Sequence, residues 1–147
     1  MGIDKRNRRR GDPRTAQFLT LYYWMLDCAA FASLSPYAVK VLLRLARRFN
    51  GANNGRIGFS VRDAAKEAGC AFNTARKALA ELQAKGFIEM VTPGGFSLKD
   101  RHASEWRLTF LPTKGDAGLV EADKPFMRWR PEKQNADARL ASDGLNA

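Results

Sequence analysis

The spacing of apolar positions changes from helical to twofold part-way along the chain. Val39, Leu42, Leu43, Ala46 and Phe49 recur at i, i+3, i+4, i+7 and i+10, which predicts one buried stripe of a helix over 36–49. Lys40, Arg44, Arg47 and Arg48 fall outside that stripe. Ser35-Pro36 opens the helix, because the serine accepts a bond from a free backbone N–H while proline at the first position gives up nothing. "NGANNG", residues 50–55, stops it, since Asn and Gly readily take left-handed conformations.

"RIGF" reads as a short strand running into Ser60, and "SVRD" has the form of a capping box with Asp63 in place of the usual Glu. A second helix over about 61–68 carries Val61, Ala64, Ala65 and Ala68 on one side, small enough for close packing, and Gly69 terminates it. The third helix runs from Phe72 to Lys85 and ends at Gly86. Ala75, Leu79 and Leu82 share one face; Asn73, Lys77, Ala80 and Ala84 point the other way, with Thr74 and Arg76 on the shoulders. Ala71 stands at the cap position, a loss of about 1 kcal/mol that Asn73 or Thr74 is expected to offset in part.

Beyond Gly86 the period becomes two. "FIEMV" places Ile88 and Met90 on one face, and "EWRLTF" does the same for Trp106, Leu108 and Phe110. Between them "TPGGFSLKDRHAS" supplies a turn and the polar side chains Lys99, Arg101 and His102, so the pair reads as a hairpin with a long tip.

The flanks are different in kind. Residues 1–16, including "KRNRRR", have almost no apolar content and are expected to be a disordered basic arm. "QFLTLYYWMLDCAAFASL", residues 17–34, is too continuously apolar to separate strand from helix by periodicity. Its Tyr, Thr and Trp favour an extended start, with Asp27 capping a short helix through Leu34. This segment either completes the core or forms a homodimer interface. Residues 112–147 are expected to be a mostly disordered tail, with Phe126, Met127 and Trp129 of "PFMRWRP" docking on the domain or on a protein partner.

Composition narrows the class. The chain has 147 residues, 45% of them apolar, enough for one modest core, which we place at 17–111. A formal net charge of +10 favours a polyanionic partner. The excess sits in the arm and the domain, whereas the 112–147 tail is balanced at six basic and six acidic residues. Asp27 breaks the longest apolar run well short of a membrane span, and no convincing secretory signal follows the basic start. Cys28 and Cys70 belong to no metal-ligand pattern and read as small buried thiols of a reduced, cytoplasmic chain. No phosphate-cradling, zinc-binding or nucleophile-elbow motif occurs, His102 is the sole histidine, and Glu81, Glu89 and Glu105 fall on expected exposed positions. The expectation is a protein that is not an enzyme and uses no cofactor and no metal.

Residues 60–90, "SVRDAAKEAGCAFNTARKALAELQAKGFIEM", with "EWRLTF" at 105–110, resemble the winged helix-turn-helix family of DNA-binding domains. With the preceding helix the likeness covers about residues 35–111. "NNGRIGFS" and "ASEWRLTF" look especially like the small helix-turn-helix proteins of bacteria, plasmids and phages, some of them related to replication initiators. The resemblance implies a mainly α fold with a small β-hairpin wing, of α+β class. In it Gly69 reverses the chain, Ala65 permits close helix crossing, and Leu79, Leu82, Gly86, Phe87 and Ile88 lead into the first wing strand. It further implies a partner, double-stranded DNA, with Asn73, Thr74, Arg76, Lys77 and Ala80 facing the major groove. Lys99, Arg101 and His102 would reach phosphates or the adjoining minor groove, and Arg8, Arg9 and Arg10 of the arm would add to that contact, on DNA or on RNA. The expected role is a nucleoid-associated transcriptional regulator. The alternatives are a replication-initiation protein of a plasmid or phage and, from another class, a protein-interaction module using the domain or the 125–131 island.

Overall fold

The computed structural model describes residues 17–96 and 101–131. The arm with Arg8, Arg9 and Arg10, the hairpin residue Lys99 and tail positions 132–147 lie outside the described residues. Within them the fold is α+β, with five α-helices and small antiparallel sheets.

The helices come first. α1 (Tyr23–Leu26) is a single helical turn, not the extended start expected from Tyr, Thr and Trp, whereas α2 (Ala29–Ala32) is a single turn within the short helix expected through Leu34. The reason is packing: Trp24 and Met25 both lie against the core, and a strand would send such consecutive residues to opposite faces. Asp27 does not cap the second turn; Cys28 does, its Sγ accepting from Phe31 N at 3.4 Å. Met25 and Ala30 are fully buried within the chain's own core, while Phe18 and Tyr23 remain exposed.

α3 (Pro36–Arg47) begins as expected, with Ser35 Oγ accepting from Ala38 N at 3.2 Å. Its buried stripe, however, is Ala38, Val41, Leu42, Leu45 and Ala46, and Val39, Leu43 and Phe49 are only half-buried. Almost every position from 38 to 46 except Lys40 and Arg44 is apolar, so two neighbouring stripes satisfy the helical period. Contact with both later helices selects between them.

α4 (Val61–Ala68) follows the two-residue strand β1 (Ile57–Gly58) and carries the full capping box: Ser60 Oγ accepts from Asp63 N at 3.0 Å, and Asp63 Oδ2 accepts from Ser60 N at 2.9 Å. Gly69 ends it at φ +66°, a left-handed conformation suited to glycine. Ala64 and Ala68 are fully buried, Val61 and Ala65 only partly. α5 (Phe72–Ala84) then buries Ala75, Ala78, Leu79 and Leu82. Its start has no side-chain cap, and among the described residues neither Asn73 nor Thr74 bonds back to take that place.

The sheet has the order β1-β5-β2, with β2 at Ile88–Thr92 and β5 at Glu105–Leu108, all antiparallel. Ile88 faces Leu108 and Met90 faces Trp106. Trp106 is buried and donates from Nε1 to Phe59 O at 2.8 Å, but Met90 is 37% exposed. β2 is an edge strand, so Met90 has no outer neighbour to cover it. Beyond this ladder β3 (Gly95–Phe96) pairs with β4 (Arg101–His102) and prolongs the hairpin outward.

Asn54, in the segment read simply as a helix stop, is 5% exposed and ties that loop to the end of β5. Its Oδ1 accepts from Leu108 N at 2.7 Å, and its Nδ2 donates to Leu108 O at 2.9 Å and Leu111 O at 3.1 Å.

Residues 112–131 correct the expectation of a mostly disordered tail. β6 (Thr113–Gly115) and β7 (Gly118–Val120) form a hairpin, and Pro125–Met127 form a 3-10 turn that drives Phe126 to full burial. The Phe126 ring stacks on Phe87 at 4.6 Å between centroids and on Trp24 at 6.1 Å, joining the first helical turns to the last one. Gly86, at φ +86°, makes room: a Cβ there would lie 2.9 Å from Phe126 N. The core therefore extends past residue 111.

Candidate nucleic-acid interface

The two ends of α5 are built differently. At its carboxyl-terminal end Glu81 is not the free surface carboxylate expected from the sequence. It accepts from Ser35 N at 3.0 Å, from Ser35 Oγ at 2.7 Å and from Lys85 Nζ at 2.9 Å, while Lys85 also donates to Ser33 O at 2.8 Å. Partial burial opposes the charge on Glu81, but these donors, with Lys85 foremost, outweigh it and hold the carboxyl below its ordinary range. This end is locked to the start of α3.

The amino-terminal part of α5 presents Phe72, Asn73, Arg76, Lys77 and Ala80 to solvent, with Thr74 half-buried at the edge of the same face. Four of the five helix residues expected at the interface thus share one open surface. The exposed outer hairpin adds Arg101 and His102, and the His102 Nε2–H donates to Pro93 O at 3.0 Å, which braces the hairpin's two sides. Lys99 lies outside the described residues, so its place beside them is not part of this geometry.

Two residues that sequence reasoning passed over belong here. Arg62, on the first turn of α4, and Phe72, the first residue of α5, line one open groove together with Gly94, Gly95, Arg101 and His102. Each carried a faint signal: Arg62 lies off the Val61, Ala64 and Ala68 stripe, and Phe72 is an apolar residue off the Ala75, Leu79 and Leu82 stripe. Gly94 suits the narrow floor, since a Cβ there would come within 3.1 Å of Ser104 Oγ.

Carboxylates are drawn elsewhere by pairing. Arg48 bridges Glu67 and Asp63, Arg44 approaches Glu67 at 3.5 Å, and Arg107 holds both Glu89 and Asp123 on the sheet. Arg107 donation keeps Asp123 below the ordinary carboxylate range. Asp63 is also held low, where burial is outweighed by the Ser60 hydrogen bonds and the nearby Arg48 and Lys66. Among the described residues Arg62, Arg76, Lys77 and Arg101 enter no ion pair, and the exposed face of α5 carries no acid. Arg76 and Lys77 are thus exposed cations on α5, and Phe72 at the start of that helix lines the groove that also holds Arg62 and Arg101.

Among the described residues no group of three His, Cys, Asp or Glu side chains is placed to hold a metal ion, and no helix is long and apolar enough to cross a membrane. Cys28 and Cys70 are free thiols, both half-buried and not fully enclosed. The 125–131 island packs on the chain itself, with Phe126 buried and Met127 and Trp129 against the core. Comparison of the chain with protein-family models, curated proteins and solved structures gave no match.

Proposed function

We propose that this chain is a non-enzymatic, double-stranded DNA-binding protein of the winged helix-turn-helix type, acting as a transcriptional regulator. In this reading α4 and α5 are the helix-turn-helix, with α5 entering the major groove, and the β2–β5 hairpin with its β3–β4 extension is the wing. The observation that carries it is the acid-free outer face of α5, with Asn73, Arg76 and Lys77 exposed on a helix whose first residue, Phe72, shares a groove with Arg62 and Arg101.

The chemistry fits a duplex. Asn pairs with adenine through N6 and N7, while Arg and Lys donate to guanine O6 and N7. Ala80, exposed one turn further on, leaves space for close approach to the base edges. Arg62 and Arg101 flank the groove at the amino-terminal end of α5 and suit phosphates on either side. The partner's negative charge meets a surface whose own carboxylates are engaged elsewhere.

Selection of bound duplexes from a random pool at two salt concentrations tests the proposal. An enriched motif with affinity falling steeply as salt rises is the expected outcome, because each neutralised phosphate releases counterions. Lys77→Ala should then lower the ratio of specific to non-specific binding. A pool that stays random after repeated rounds would overturn the reading, and an unchanged ratio in Lys77→Ala would remove α5 as the reading element.

A further inference from the structure

Phe72 stands apart from the rest of the α5 surface. It is the first residue of the helix, lies off the buried Ala75, Ala78, Leu79 and Leu82 stripe, and is 53% exposed. Helical spacing puts it in one row with Arg76 at i+4 and Ala80 at i+8. A large apolar ring thus heads a row whose one polar member is Arg76, and shares a groove with the guanidinium-bearing Arg62 and Arg101.

Within the DNA-binding reading on which this rests, we propose that Phe72 is a specificity-determining residue that contacts the 5-methyl group of a thymine in the major groove. The methyl is the one apolar feature a base pair displays there, and phenylalanine is among the side chains that pack on it. The cationic residues around the ring supply the complementarity that holds the duplex in place. Spacing also locates the thymine. Four residues of helix advance about 6 Å, close to two base steps of about 3.4 Å, so the contacted thymine lies within about two base pairs of the base met by Arg76.

The test uses the duplex recovered from the random pool and replaces its thymines one at a time by deoxyuridine, which removes the methyl and leaves the hydrogen-bonding edge intact. Wild-type protein should lose about fourfold in affinity at one or two positions beside the Arg76 contact, the worth of one methyl group withdrawn from water. Phe72→Ala should bind the thymine and deoxyuridine duplexes equally. Because the protein is unaltered in the first arm, misfolding of the variant cannot imitate the result. Silence of every thymine replacement, or an undiminished loss in Phe72→Ala, overturns the role of Phe72 while leaving specific DNA binding intact. Failure to enrich any duplex overturns the DNA-binding reading itself.

Discussion

The carboxyl-terminal end of α5 is fastened by Glu81 and Lys85 to Ser35 and Ser33, whereas its amino-terminal end starts without a side-chain cap and leaves Phe72, Asn73, Arg76 and Lys77 in water. Both ends have Ala75, Ala78, Leu79 and Leu82 underneath them, so the helix is held by one continuous buried stripe. The difference lies in what the polar side chains are for. At one end Glu81 and Lys85 find partners within the chain; at the other, donors remain available to something outside it. A rigid element with unspent donors is what sequence readout of a duplex requires.

Substitutions that respect this division should separate stability from binding. The largest effect is expected far from the open face. Phe126→Ala empties a fully buried site between Phe87 and Trp24 and should cost about 3–5 kcal/mol in denaturant unfolding, the usual range for such a truncation. If stability were unchanged, the last helical turn would be a surface feature and not part of the core.

Next in size is the anchored end. Glu81→Ala leaves the Ser35 N–H without its acceptor and Lys85 with only the Ser33 carbonyl, and should cost about 1–3 kcal/mol of stability. The effect should depend on pH with a definite sign. The folded Glu81 carboxyl titrates below its unfolded value, so its contribution is complete above about pH 4–5 and is lost as pH falls through the folded pKa. Unfolding curves of wild type and Glu81→Ala should therefore converge in acid; a gap that widens there would reverse the assignment.

The open end should behave in the opposite way. Arg76→Ala is expected to change stability by no more than about 0.5 kcal/mol, as for an exposed side chain in no ion pair among the described residues, yet to weaken binding to the selected duplex by about 1–3 kcal/mol. Parallel melting and titration measurements check both halves, and a variant that loses stability but not affinity would make the two ends of α5 alike. The last expected change is a gain. Ala71→Ser supplies the missing cap and should add about 1 kcal/mol, seen as a raised melting temperature.

Much of the local architecture can be read from contiguous residues. Ser35-Pro36, the Ser60 and Asp63 capping box, Gly69 and the alternation through Trp106 and Leu108 each act within a few positions. Helix starts, helix stops and the strand period follow from them. The open face of α5 was legible for the same reason: once Ala75, Leu79 and Leu82 are inside, geometry turns Asn73, Arg76 and Lys77 outward. Phe72 was harder to place, because an apolar residue at a helix start is equally compatible with the core until the hairpin beside it is seen.

Other features needed the assembled molecule. The stripe of α3 was ambiguous because apolar residues nearly encircle that helix, and only its contact with α4 and α5 chose Ala38, Val41 and Leu45. Met90 alternates like a core residue but lies uncovered on an edge strand. Phe126 belongs to an apolar island in a polar, Pro- and Gly-containing stretch; the sequence marks it for docking but does not say where, and Phe87, Trp24 and the gap above Gly86 supply the place. Capping and periodicity are written in neighbouring residues, so the sequence of this protein determines them alone. The burial of Phe126, the choice of stripe and the pairing of Asn54 with Leu108 join positions tens of residues apart, and those are decided only when the surfaces meet.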